Sequence, residues 1–139
     1  MSNNHPLFDP ERDPEWRSRL STLQYHVTRE AGTERPNTGY LNMEERGGSY
    51  YCICCGHILF TSEMKYNSGC GWPAFHTEHL DSGIKRLTDR SLGRVRIEVR
   101  CGSCDAHLGH VFQDGPKESG GERYCINSAS MDFIPEGDA

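Results

Sequence analysis

The sequence predicts a mainly β domain, an antiparallel sheet structure with short helices ahead of it, and three observations carry that reading. Arg94-Val95-Arg96-Ile97-Glu98-Val99-Arg100 alternates charged and branched apolar residues without a break. This is the period of a strand with one face on a core and the other toward water. From Tyr40 onward the apolar runs are short and joined by glycine-rich connections, as in sheets built from neighbouring strands. Helical periodicity is confined to the first third of the chain.

The 139 residues correspond to one domain, 1–139, with a helical segment over 1–35 and a β core over 40–135. That length buries one sizeable core and not two. Apolar residues at 35% together with 15 glycines lie near the ordinary globular share, which excludes wholesale disorder. Fifteen basic residues against 20 acidic ones leave a net charge of -5, which is unsuited to a sequence-independent grip on phosphate backbones. No apolar run approaches the ~20 residues that span a bilayer. The opening MSNNHPLFDPERDPEW is polar and carries acids early, unlike a secretory or transit peptide. A cytoplasmic protein without nucleic-acid or membrane partners is expected.

Taken in order, Asp13 is the expected N-cap of a first helix, with Pro14 at the first helical position. Trp16, Leu20 and Leu23 fall at i, i+4 and i+7 on one apolar stripe. Gly32 and Pro36 punctuate the end of this region, and Gly32-Thr33-Glu34-Arg35-Pro36 reads as an ordered loop. Strands are expected at Ser49–Ile53 and, after a turn at Cys55-Gly56, at Ile58–Phe60. Others follow at Arg94–Arg100, at Leu108-Gly109-His110-Val111-Phe112 and at Tyr124–Asn127.

Seven cysteines are many for such a chain. Under reducing conditions they point to metal binding or redox chemistry rather than to a disulfide scaffold. Cys52 and Cys55 form one C-x-x-C, and Cys101 and Cys104 form another. Each spacer lets a tight turn aim two sulfurs at one point, and two such knuckles complete a tetrahedral thiolate shell for one zinc ion. Residues 56–100, 45 in all, separate the pairs, so the zinc would staple distant parts of a larger domain. Four thiolates leave no open coordination position, which makes the metal structural and places the chemistry elsewhere.

Cys54, Cys70 and Cys125 lie outside that frame. Cys54, inside the first knuckle, reads as a bystander, and all three thiols are expected to react in the native protein. On a strand, Arg123, Cys125 and Asn127 share one face. The guanidinium there favours the nucleophilic thiolate, and the amide can orient it or a substrate. Cys70 sits in the glycine-flanked loop Ser68-Gly69-Cys70-Gly71-Trp72-Pro73, with the mobility that a resolving thiol needs. His107 and His110 add two imidazoles that can move protons near neutral pH. His76 and His79 read as surface residues. The residues by themselves thus lead to a zinc-stapled thiol enzyme. Two competing readings are a zinc-ribbon binding module, which the net acidity disfavours, and a disulfide oxidoreductase working through a C-x-x-C, which metal on all four thiolates would preclude.

The run from Thr33 to Phe133 resembles the methionine sulfoxide reductase B family. The motifs are Gly32-Thr33-Glu34-Arg35-Pro36, the two C-x-x-C pairs, and Ser68-Gly69-Cys70-Gly71-Trp72-Pro73-Ala74-Phe75. They continue with His107-Leu108-Gly109-His110-Val111-Phe112, Asp114-Gly115-Pro116 and Arg123-Tyr124-Cys125-Ile126-Asn127-Ser128. The resemblance implies two antiparallel β-sheets with zinc away from the active site, and reduction of methionine-R-sulfoxide, mainly in oxidised proteins. It implies Cys125 as nucleophile, Cys70 as resolving cysteine and thioredoxin as reductant. Trp72 matches the ring that receives the substrate methyl group, Phe112 walls the same pocket, and His107, His110 and Asn127 match the residues that bind and protonate the sulfoxide oxygen. Two departures stand out: Ala74, where serine is frequent, and a Gly115–Glu122 connection about one residue longer than usual. Cys54 is an additional thiol that could compete with Cys70 as the resolving cysteine.

Overall fold

The structure, a computed structural model, describes residues 9–137. It is mainly β, with two antiparallel sheets and two short helices. Helix α1 spans Asp13–Arg19 and α2 spans Thr22–Arg29. Contrary to the expectation, Asp13 is not the N-cap. Arg12 occupies that position without a side-chain cap, and Asp13 is the first helical residue. Its carboxylate is instead drawn into tertiary contacts, accepting from the Tyr25 hydroxyl and from Arg17 Nε at 2.7 Å. The cap chemistry appears one helix later, where Ser21 and Gln24 exchange reciprocal hydrogen bonds, the capping-box arrangement. Because one helix ends at Arg19 and the next starts at Thr22, the expected stripe is not continuous: Trp16 and Leu20 are buried, while Leu23 is 49% exposed.

Strands β1 (Gly48–Cys52), β2 (Ile58–Thr61) and β9 (Met131–Pro135) form the smaller sheet in the order β2-β1-β9. The larger sheet contains β3 (Lys65–Tyr66), β4 (Ala74–Phe75), β5 (Lys85–Asp89), β6 (Arg96–Arg100), β7 (His107–Phe112) and β8 (Arg123–Ile126). Its order is β3-β4-β8-β7-β6-β5. Aromatic rings join the sheets across the core. Phe60 stacks on Phe75 with centroids 4.0 Å apart, and Tyr50 meets Phe75 edge-on at 5.1 Å.

Register determines which face carries what. Ile97 pairs with Val111, Val111 with Tyr124, and Phe75 with Tyr124, so these side chains point together into the core. The alternate residues share the other face, where Glu98 pairs with His110, His110 with Cys125, and Cys125 with Ala74. The alternation in Arg94–Arg100 had assigned that face to water. The strand instead begins at Arg96, and Glu98 and Arg100 are buried. They are enclosed because Arg100 donates to Glu98 and Glu98 also bonds His107, while α2 packs against β7. Only glycine permits the strand spacing behind Cys125. A Cβ at Gly109 would lie 2.0 Å from the Cys125 carbonyl oxygen.

Candidate active site

Strand β8 projects Arg123 and Cys125 to the same face, and the neighbouring loop brings Cys70 to meet them. Cys70 Sγ and Cys125 Sγ are 3.6 Å apart. They line a cavity of about 220 Å³ together with Thr33, Trp72, Arg94, Arg96, Gly109, His110, Phe112, Arg123 and Asn127. A second, larger recess of about 450 Å³ lies on the other side of Cys70 and Arg123, against Tyr66, Ser68 and Asp114. Cys70 therefore belongs to the walls of both.

The two thiols share a hydrogen bond that separates their titrations. Donation from Cys125 holds Cys70 down at about 5. The same bond, and burial, push Cys125 up, while the Arg123 guanidinium opposes that rise. Arg123 is fixed by a bidentate pair with Asp114, at 2.8 and 3.2 Å. It also stacks over the Phe112 ring at 4.5 Å, which immobilises both walls of the cavity.

Of the two histidines, the structure brings one to the cavity. His110 Nε2 lies 2.8 Å from Asp89 Oδ2. Burial lowers its pKa, against the pull of the Asp89 carboxylate. Asp89 is itself held far below the ordinary range: burial pushes it up, but bonds from Ser91 and His110 outweigh that. His107 does not line the cavity. It stands behind His110, ring centroids 5.6 Å apart, with Nδ1 2.6 Å from Glu98 and Nε2 buried with no hydrogen-bond partner among the described residues. His76 and His79, expected at the surface, are half-buried.

Asn127 reaches the cavity wall, but both ends of its amide are engaged by backbone. Nδ2 donates to the Leu108 carbonyl at 3.0 Å, and Oδ1 accepts from the Glu34 N–H at 3.0 Å. Glu34 was not singled out from the sequence beyond its place in a motif. It is 3% exposed, and its carboxylate accepts from the Ser128 and Ala129 N–H groups, each at 2.9 Å. Its carbonyl accepts from Trp72 Nε1 at 3.0 Å. One residue thus ties the aromatic wall, the amide wall and the turn after β8. No local signal in the sequence marks that role, because the N–H groups it satisfies lie more than 90 positions away. Asp89 and Thr33 were also missed. Ala74, the departure from the frequent serine, lies directly across from Cys125 in the strand register.

The four knuckle cysteines form a separate group. Their ligand atoms all lie within 4.8 Å of one another, with Cys52–Cys104 and Cys55–Cys101 sulfurs each 3.6 Å apart. A tetrahedral zinc shell at about 2.3 Å requires sulfurs roughly 3.8 Å apart, so the residues fit a metal ion. Buried Arg29 supports that fit. Its Nη1 lies 3.7 Å from Cys104 Sγ, and its Nη2 donates to the Cys104 carbonyl at 2.8 Å. A cation placed there complements a thiolate shell with excess negative charge. Its guanidinium also stacks on Trp16 at 4.8 Å. Cys54, expected to react freely, is buried against this group. No knuckle cysteine lines the cavity, and among the described residues no helix is long and apolar enough to cross a membrane.

Comparison with known proteins agrees with the geometry. A protein from Caenorhabditis elegans described as a probable methionine-R-sulfoxide reductase B is 55% identical over 123 residues, 88% of this chain and 81% of that one. The peptide methionine sulfoxide reductase MsrB of Chromohalobacter salexigens is 53% identical over 121 residues, covering 87% and 91% of the two chains. The crystal structure of a Mis18 "Yippee-like" domain shares the fold over 66% of this chain, with a TM-score of 0.52 and 16% identity. The SelR domain model matches residues 20–135. With that match covering both the knuckles and the cavity, the chain belongs to the SelR family, the family of the MsrB methionine sulfoxide reductases.

Proposed function

We propose that this protein reduces methionine-R-sulfoxide to methionine, mainly within oxidised proteins, using Cys125 as nucleophile and Cys70 as resolving thiol. The observation that carries the reading is the pair of thiols 3.6 Å apart on a cavity walled by Trp72, Phe112 and His110. A sulfoxide oxygen leaves poorly until it is protonated, so a thiolate and a proton-moving group must flank the same sulfur. Cys125 would attack that sulfur. The oxygen, protonated on the way, would pass to Cys125 as a sulfenic acid and methionine would depart. Cys70 would then condense with the sulfenic acid, losing water and forming a Cys70–Cys125 disulfide. A dithiol reductant, thioredoxin in this reading, would return both thiols.

Trp72 and Phe112 offer apolar rings to a methyl group that can make no hydrogen bonds, and this would select one epimer. His110, held by Asp89, is the wall residue placed to orient the oxygen and move its proton. Arg123 stabilises the Cys125 thiolate. His107 and Asn127 act as positioning residues, the first behind His110 and the second through Leu108 and Glu34. Cys52, Cys55, Cys101 and Cys104 would hold zinc, which supplies a closed structural shell and no chemistry. Residence in the reducing cytoplasm accords with this use of thiols.

The test is dithiol-driven reduction of the separated epimers of a blocked methionine sulfoxide. Turnover of R alone, lost in Cys125→Ser with metal content unchanged, is expected. Turnover of S alone, or of neither epimer, overturns the reading.

A further inference from the structure

The turn joining β5 to β6 differs from the rest of the surface. In a chain of net charge -5, residues 89–96 hold three arginines, Arg90, Arg94 and Arg96, against one acid, Asp89. Arg96 and Asp89 form a cross-strand pair at 3.3 Å, whereas Arg90 and Arg94 make no ion pair among the described residues. Arg94 and Arg96 also line the cavity that contains Cys125. The basic turn is therefore continuous with the mouth of the candidate active site.

Its tip carries apolar surface in the same place. Leu92 is 78% exposed and Val95 61%. Leu92 has φ 59° and ψ 25°, a left-handed conformation in which a Cβ crowds the following carbonyl oxygen and which Asn or Gly tolerates far better. Neither packing nor backbone preference accounts for a leucine there in the free protein. Strained positions concentrate where a structure meets a ligand, and exposed side chains of both kinds beside a cavity mouth fit a polypeptide lying across it.

We propose that this turn docks the polypeptide that carries the oxidised methionine, with Arg90 and Arg94 taking acidic residues and Leu92 an apolar residue near it in the substrate. The assignment rests on the sulfoxide-reductase reading and adds to it a substrate class, acidic segments with apolar neighbours. Charge complementarity argues for that occupant, since basic surface beside the cavity repels basic segments and draws acidic ones.

The experiment compares kcat/KM for two peptides that differ only in residues flanking methionine-R-sulfoxide, acidic with leucine in one and lysine with leucine in the other. A blocked single amino acid sulfoxide is run alongside. A small dithiol serves as reductant, so that no reductant protein covers the surface. The acidic peptide is expected to be preferred about fivefold at low salt, with the preference falling toward unity as salt shortens the screening length from about 10 Å to about 3 Å. Arg90→Glu should abolish or invert it, and Leu92→Asn should lower kcat/KM for both peptides about threefold without lowering the melting temperature. Both variants should leave the single amino acid unaffected. Equal use of the two peptides, or a preference untouched by Arg90→Glu, overturns the docking assignment while turnover of the small substrate keeps the underlying reading intact. A charge effect that appears only with thioredoxin assigns the surface to the reductant and also overturns it. Failure on the small substrate removes the reductase reading and the docking assignment together.

Discussion

Cys70 and Cys125 approach to 3.6 Å between sulfurs and divide one proton unequally, with the negative charge on Cys70, the partner nearer solvent. The Cys125 titration is therefore governed by Cys70. Replacing Cys70 by Ser removes the neighbouring thiolate and leaves Arg123 pulling the other way. The Cys125 titration should move down. The pH dependence of Cys125 alkylation reads this directly, and a midpoint unchanged or raised in Cys70→Ser would contradict the shared-proton arrangement. The same variant should complete a single turnover and then stall with thioredoxin.

Glu34 should matter more to the cavity than any group outside it. Glu34→Ala strands the Ser128 and Ala129 N–H groups, each an unmade buried hydrogen bond of ~1–3 kcal/mol. Denaturant unfolding should show a loss of roughly 2–6 kcal/mol. Glu34→Gln, which keeps an acceptor, should recover part of it. Equal stability for Glu34→Ala and the parent would mean that water replaces the carboxylate.

Glu98 predicts an acid limb in the stability curve. Burial raises its carboxyl, but bonds from His107 and Arg100 outweigh that and hold it at about 2, against about 4.3 in an unfolded chain. Between those values the unfolded state binds more protons, so stability falls as pH falls through the window. The contribution present above it is on the order of 3 kcal/mol. Glu98→Gln should unfold more easily at pH 7 and show a flatter slope between about pH 4.3 and pH 2. An identical slope would assign the acid transition to other carboxylates.

At the metal group, Arg29→Met keeps the apolar stem over Trp16 and removes the charge beside Cys104. Outer-shell changes typically lower metal affinity by about 10–100-fold, and chelator competition should show a loss in that range. Cobalt substitution, read by its thiolate absorption, offers a check independent of activity.

Burial also revises the thiol count. Cys54 is enclosed, so a native titration of the zinc-loaded protein should find two fast thiols, Cys70 and Cys125. All seven should appear under denaturing chelation. Three fast thiols would show that the first knuckle opens readily.

Chemistry that is local in the chain was legible. The knuckles announce themselves by spacing, and Arg123, Cys125 and Asn127 by the strand period. What escaped depends on partners distant in sequence. Nothing near Glu34 shows that Ser128 and Ala129, more than 90 positions away, need its carboxylate. Nor does alternation in Arg94–Arg100 reveal that the polar face will be roofed and become the site wall. Three residues apart, His107 and His110 should take opposite faces of a regular strand, yet a register irregularity between Val99 and Arg100 turns both to one face, where His110 lines the cavity and His107 stands behind it. Asp13 shows the limit of cap signals, because a buried tyrosine hydroxyl claimed the carboxylate first.

Arg29 and Glu34 lie five positions apart, one reaching the knuckles and the other the cavity. A fragment trimmed to the strands, beginning near residue 40, would retain every cysteine and both sheets. It would lack the cation on Cys104 and the carbonyl that anchors Trp72. The smallest working unit must therefore start upstream of residue 29, and any shortened version for expression or engineering should be cut ahead of the helices rather than at the edge of the sheet.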